Sequence, residues 1–238
     1  MTDPDHLTAH LRPTAARPLL GLTVLVVEDS RFACDAMRLL CLRSGARIRR
    51  ADCMESARRH LKVYRPSAIV IDLGLPDGSG ADLIAELATA IPRVDVILGT
   101  SGDIDGEDLA LEAGADGFLS KPVQSLAAFQ QMILRSLPVD RQPPGPRLVS
   151  DEPVVPDPIA YRDDMAHAAG VLDDREDDAV VDYVAQFLSG VARSAGDQPL
   201  FEAANDLAAQ RAKSAPTDVP LNRLSALVAA RLNEPVVI

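Results

Sequence analysis

From residue 22 onward, short uninterrupted apolar runs alternate with segments of helical period. The runs are Thr23–Val27, a weaker Arg47–Ala51, Ala68–Ile71, Val94–Leu98 and Gly117–Leu119. Between them, apolar spacings of three and four predict helices at about 31–43, 54–64, 79–90, 105–113 and 125–136. Strands alternating with helices predict a parallel sheet, because parallel neighbours need crossover connections that cover both faces. The first and third runs lack polar alternation, as strands buried on both faces should. Ser44-Gly45 and Gly114 supply residues that tolerate a left-handed helix C-cap.

The pattern changes after residue 137. Seven of the 18 prolines fall between 138 and 158, where lost backbone donors and a fixed φ exclude an ordinary helix or central strand. This stretch reads as a semi-extended linker, long enough for the following part to move independently or to fold back. Beyond it the period is purely helical. Predicted helices lie around Ile159–Ala169, along the stripe Val180, Val184, Phe187, Leu188 and Val191, from Pro199 to Ala208, and along Leu221, Leu224, Leu227, Val228 and Leu232. The chain thus divides into a tail (1–18), an α/β domain (19–137), a Pro-rich linker (138–158) and a small all-α bundle (159–238). With few aromatics, the bundle's core is expected to need help from a second copy or from the α/β part.

Composition narrows the function. Of the net charge of −11, residues 139–238 carry −8, from 9 Lys+Arg and 17 Asp+Glu. Such acidity opposes a nucleic-acid backbone, whose binding rests on Lys and Arg displacing counterions. No stretch approaches the ~20 apolar residues of a membrane span. Cys34, Cys41 and Cys53 form no paired motif and read as packing residues of a reducing compartment. A cytoplasmic protein without membrane contact is expected.

Polar residues stand where the apolar runs end. Glu28 and Asp29 follow the first, Asp72 the third, Thr100 and Ser101 the fourth, and Lys121 the fifth. Parallel strands bring these positions to one edge of the sheet, where ligands of open α/β folds bind. Three clustered carboxylates repel one another and call for a cation. Mg²⁺ takes such oxygens, and a carboxylate beside it is suited to forming an acyl phosphate, with an ammonium neutralising the transferred oxygens.

These residues, with Leu73-Gly74-Leu75-Pro76-Asp77-Gly78-Ser79-Gly80 and Lys121-Pro122, resemble the receiver domain of bacterial response regulators over about residues 22–137. The spacings agree too: 43 residues from Asp29 to Asp72, 28 to Thr100 and 21 to Lys121. The resemblance implies a flavodoxin-like (βα)5 fold of strand order 2-1-3-4-5, and phosphotransfer from a histidine kinase or phosphotransfer protein. It implies Asp72 as phosphoacceptor, with Mg²⁺ held by Asp29, Asp72 and the Gly74 carbonyl, and by Glu28 through a water. It further implies Thr100, the Ser101 amide and Lys121 on the phosphoryl oxygens, Thr100 and Phe118 as switch residues, and a cis Lys121–Pro122 bond. Only self-phosphorylation and self-dephosphorylation chemistry is expected. Gly74 and Gly102, two residues beyond Asp72 and Thr100, predict little steric shielding of an acyl phosphate.

Each residue alone has a plainer reading: Asp29 or Ser30 as a helix N-cap, Asp72 in an Asx turn, Lys121 on the surface, Phe118 as core. Their joint order favours the site. His167 faintly suggests a phosphotransfer histidine but lacks the following Lys and Gly, so it reads as a surface or packed residue. The acidic run Asp173–Asp178 lacks calcium-loop spacing and reads as a solvated helix start. For the helical part, a protein-interaction or homodimerisation module is favoured. A divergent DNA-binding domain using Arg211, Lys213, Arg223 and Arg231 is the alternative.

Overall fold

The computed structural model describes residues 12–145, 153–172 and 178–234. Most of the predicted tail, the middle of the linker and residues 173–177 of the acidic run lie outside them. In chain order the α/β part comprises β1 (Thr23–Val27), α1 (Arg31–Ser44), β2 (Arg47–Ala51), α2 (Met54–Val63), β3 (Ala68–Asp72), β4 (Gly74–Leu75), β5 (Gly78–Ser79), α3 (Gly80–Thr89), β6 (Val96–Ser101), α4 (Gly106–Glu112), β7 (Gly117–Ser120) and α5 (Leu126–Ser136). Five strands form a parallel sheet of order β2-β1-β3-β6-β7. Leaving aside the two-residue hairpin β4-β5, this is the expected order 2-1-3-4-5.

Local chemistry accounts for the boundaries. Ser30 caps α1 by accepting the Ala33 amide at 3.0 Å, and Gly45 ends the helix at φ 82°. Cys53 caps α2, a role the sequence did not suggest, while both Asp77 carboxylate oxygens accept the amides of Met54 and Glu55. β6 begins two residues later than predicted and runs on through Thr100 and Ser101, which are polar yet buried. The sheet separates two apolar clusters: Val24, Val26, Val70 and Leu98 face α1 and α5, and Leu25, Ile69, Ile71 and Ile97 face α2 and α3.

The second part is the expected all-α unit: α6 (Pro158–Leu172), α7 (Asp178–Ala195), α8 (Gln198–Ala212) and α9 (Asp218–Asn233). Met165, Val184, Leu188, Leu200, Leu207 and Leu224 pack into its own fully buried core. Small residues such as Ala168, Ala192, Ala203 and Ala204 let the helices approach closely, and α6 and α7 also pack on α1, so the α/β part contributes as one of the two expected sources of help. The linker returns the bundle to the α/β part. Val154 is buried in the cluster beside α1 and α5, its amide donates to the Gln124 carbonyl at 3.1 Å, and the Asp157 amide donates to Asp35 at 3.0 Å.

Gly80 marks the tightest backbone approach, since a Cβ there would lie 1.9 Å from the Asp72 carbonyl oxygen. Gly80→Ala is therefore expected to destabilise the protein by about 1–3 kcal/mol or more. An unchanged denaturant midpoint would refute this.

Candidate functional site

The ends of β1, β3, β6 and β7 bring the sequence-predicted residues to one edge of the sheet. One oxygen each from Glu28, Asp29 and Asp72 lies within 4.8 Å of the other two. The Lys121 ammonium stands 2.8 Å from Glu28 Oε2 and 3.0 Å from Asp72 Oδ2, with all three side chains buried. Glu28, Asp29, Asp72, Gly74, Ser101 and Lys121 line a single pocket. Thr100 and Phe118 stand behind it. The Thr100 hydroxyl donates to the Leu119 carbonyl at 2.7 Å, and Phe118 is buried beside Gly99 and Gly106. The Lys121–Pro122 bond is cis.

Electrostatics make this a place that wants a cation. Burial pushes Glu28 up to about 7, despite the opposing effect of Lys121. Burial, with the charge of Asp72, raises Asp29 to about 6. Burial, with the charge of Glu28, raises Asp72 to about 7. Burial disfavours the Lys121 ammonium, but Asp72 and Glu28 outweigh it and hold the group protonated. A set of hard carboxylate oxygens this close, with too little positive charge among them, fits a divalent ion of the magnesium or calcium type.

Sequence reasoning missed what covers the pocket. α7 lies across it, with Gln186, Phe187, Ser189, Gly190 and Arg193 completing the lining. The Tyr183 hydroxyl donates to Asp29 Oδ2 at 2.8 Å and lies 3.2 Å from His167 Nε2. Asp164 of α6, buried, accepts from Ser30 Oγ at 2.7 Å and from the amides of Arg31 and Phe32 at 2.7 and 3.0 Å. It thus caps α1 from outside, where the helix dipole favours a carboxylate. Phe32 and Tyr161 meet edge to face at 5.8 Å. The expectation of an unshielded site needs correction. Gly74 and Gly102 are bare themselves, but a Cβ on Gly74 would meet the Gln186 side chain at 2.6 Å, and one on Gly102 the Arg193 guanidinium at 3.2 Å. The remaining cavity is about 30 Å³, room for about two waters.

Residues 24–133 match the family model described as the response regulator receiver domain. This stretch is a receiver domain. The chain is similar to the KDP operon transcriptional regulatory protein KdpE of Escherichia coli (strain K12), 34% identical over 101 residues, covering 42% of this chain and 44% of that one. It is also similar to the cell cycle transcriptional regulator CtrA of Caulobacter vibrioides, 30% identical over 125 residues and covering 52% of each. The chain therefore spans about half the length of the curated relatives it matches. Among solved structures, a response regulator of Burkholderia pseudomallei with a phosphorylated aspartic acid, calcium ion and citrate is 30% identical, at a TM-score of 0.42. That likeness covers 47% of this chain and 66% of the other. Among the described residues, no helix is long and apolar enough to cross a membrane.

Two outcomes follow from the receiver's geometry. Raised carboxyl pKa values in the folded state stabilise it below about pH 4, and this contribution is lost as pH rises through about 6 to 7. A cation binds the ionised forms, so millimolar Mg²⁺ should raise Tm more at about pH 8 than at about pH 5.5. Equal gains at both pH values, or the same gain in an Asp29→Asn/Asp72→Asn variant, would contradict this. Asp164→Ala removes a three-bond cap and should weaken docking of the bundle by about 1–2 kcal/mol. Proteolysis within residues 138–157 should then be faster, and an unchanged rate would sink the idea.

Proposed function

We propose that the protein accepts a phosphoryl group on Asp72 from a phosphohistidine of a histidine kinase or phosphotransfer protein, and relays the event through its helical part. The observation that carries this reading is the convergence of Asp72, Asp29, Glu28 and Lys121 in one buried pocket within a receiver domain. In the transfer, a carboxylate oxygen of Asp72 forms the new bond to phosphorus as the bond to the donor imidazole nitrogen breaks. The electron pair stays on that nitrogen, which takes up a proton. Asp29, Asp72 and the Gly74 carbonyl would hold Mg²⁺, with Glu28 supporting. When bound, the ion neutralises charge on the transferred oxygens. Lys121 holds an ammonium against Asp72 and suits those same oxygens, as does the Ser101 amide. Thr100, turned toward Leu119, and Phe118 beside it form the pair whose rearrangement would report phosphorylation to the α4–β7 face.

Because α7 lies over Asp72, a protein donor reaches the carboxylate only when the bundle lifts. This couples the chemistry to the position of the helical part. A protein contact or a homodimer formed by those helices is the output that charge favours. The relatives, named as transcriptional regulators, favour a second reading, in which the output is transcriptional and the helices meet DNA. Two of its four candidate phosphate contacts are already committed: Arg211 pairs with Asp178 and Asp182, and Arg231 with Asp197 and Glu234.

The test is direct. Full-length protein incubated with Mg²⁺ and acetyl phosphate should gain the mass of one phosphoryl group, and Asp72→Asn should gain none. An unmodified wild type, or equal labelling of the variant, would refute the assignment.

A further inference from the structure

α7 is more than an obstacle over the pocket. Its Arg193 lines the same cavity as Asp72, Ser101 and Lys121, with its guanidinium against the bare backbone of Gly102. The guanidinium is braced on the Phe201 ring at 4.8 Å. Among the described residues it has no carboxylate partner, unlike Arg211 and Arg231. Asp103 also lines the cavity, but its carboxylate meets the Ser101 hydroxyl. An arginine braced from behind, without a carboxylate partner among the described residues, and lining a pocket built around Asp72, has the properties of an oxyanion ligand.

We propose that Arg193 is a phosphoryl-binding residue, supplied to the Asp72 site by the helical part, and that phosphorylation therefore tightens closure of α7 over the receiver. The inference rests on the phosphoacceptor reading of Asp72. Charge supports it. An acyl phosphate carries about two negative charges, and Glu28 and Asp29 add one each. A divalent cation and Lys121 supply three positive charges, leaving one negative charge over. Arg193 offsets that charge in a largely buried place where imbalance is costly, while Asp103, exposed at the rim of the cavity, is solvated. Space supports it as well. The cavity of about 30 Å³ left beneath α7 is far smaller than a protein donor needs. Gly74 and Gly102 are the gaps that let Gln186 and Arg193 come near. Transfer thus needs α7 raised, and the product is held with α7 lowered.

Beryllofluoride with Mg²⁺ serves as a stable phosphoryl mimic for the test, with full-length protein throughout. Binding followed by fluorine NMR or calorimetry should weaken about tenfold or more in Arg193→Ala. Arg193→Gln, which keeps side-chain length and loses charge, should show the same loss and serves if the alanine variant is poorly folded. In the wild type, the mimic should also slow proteolysis of the segment joining the two parts. Unchanged or tighter binding in both variants, or faster proteolysis of the wild type with the mimic, would overturn the proposal and leave the Asp72 assignment standing. If the wild type neither binds the mimic nor becomes phosphorylated, both fall together.

Discussion

The Lys121 ammonium, held between Glu28 and Asp72, is the contact on which the carboxyl edge of the sheet depends. Three carboxylates collected at strand ends would otherwise drive those ends apart or take up protons. Lys121 reaches them because β7 is the edge strand beside β6 and because its amide donates to the Ser101 carbonyl at 2.9 Å, which fixes where its side chain starts. One ammonium does not balance three acids, and that deficit leaves a place for a cation. A buried charge cluster of this kind contributes little to net stability, because desolvation offsets most of the attraction.

The same edge organises the second part of the molecule. α1 begins immediately after the acidic pair, so its N-terminus offers Asp164 three donors within a few ångströms of Asp29. Tyr183 then donates to Asp29 itself. Among the described residues, the helical part thus meets the receiver partly through polar groups belonging to, or next to, the site, beside contacts away from it such as Phe32–Tyr161 and the buried Val154. An interface built this way responds to charge at Asp72, whereas one built of Leu and Val would not.

The sheet and the placing of the candidate site residues at its edge were largely legible in the sequence, for different physical reasons. Strands β1 and β3 announce themselves because burial on both faces demands unbroken apolar runs. The site announces itself because Glu28, Asp29, Asp72, Thr100 and Lys121 fall where those runs stop. The end of β6 was hidden, because Thr100 and Ser101 are polar in type yet pair within the sheet. The closure by α7 was hidden more deeply. Its stripe of Val184, Leu188 and Val191 explains packing within the bundle, but nothing in its period marks Tyr183, Gln186 and Arg193 as facing another domain. Asp164, next to Asp163 on α6, looks like an ordinary solvated acid until the fold buries it.

The anchoring of Val154 changes how the joint between the two parts works. A stretch of some twenty residues rich in proline suggests a long tether and a diffuse, low local concentration of one part around the other. Pinned at Gln124, with Asp157 held by Asp35, the path from the receiver to the start of α6 shrinks to a few residues. In the proposed lifting, the bundle would move as a leaf on a short hinge and return to the same spot. Its effective concentration at the pocket would be set by that hinge, so that even a modest set of polar contacts would keep it mostly seated. A change of a few kcal/mol at the pocket is enough to redistribute the population between seated and lifted.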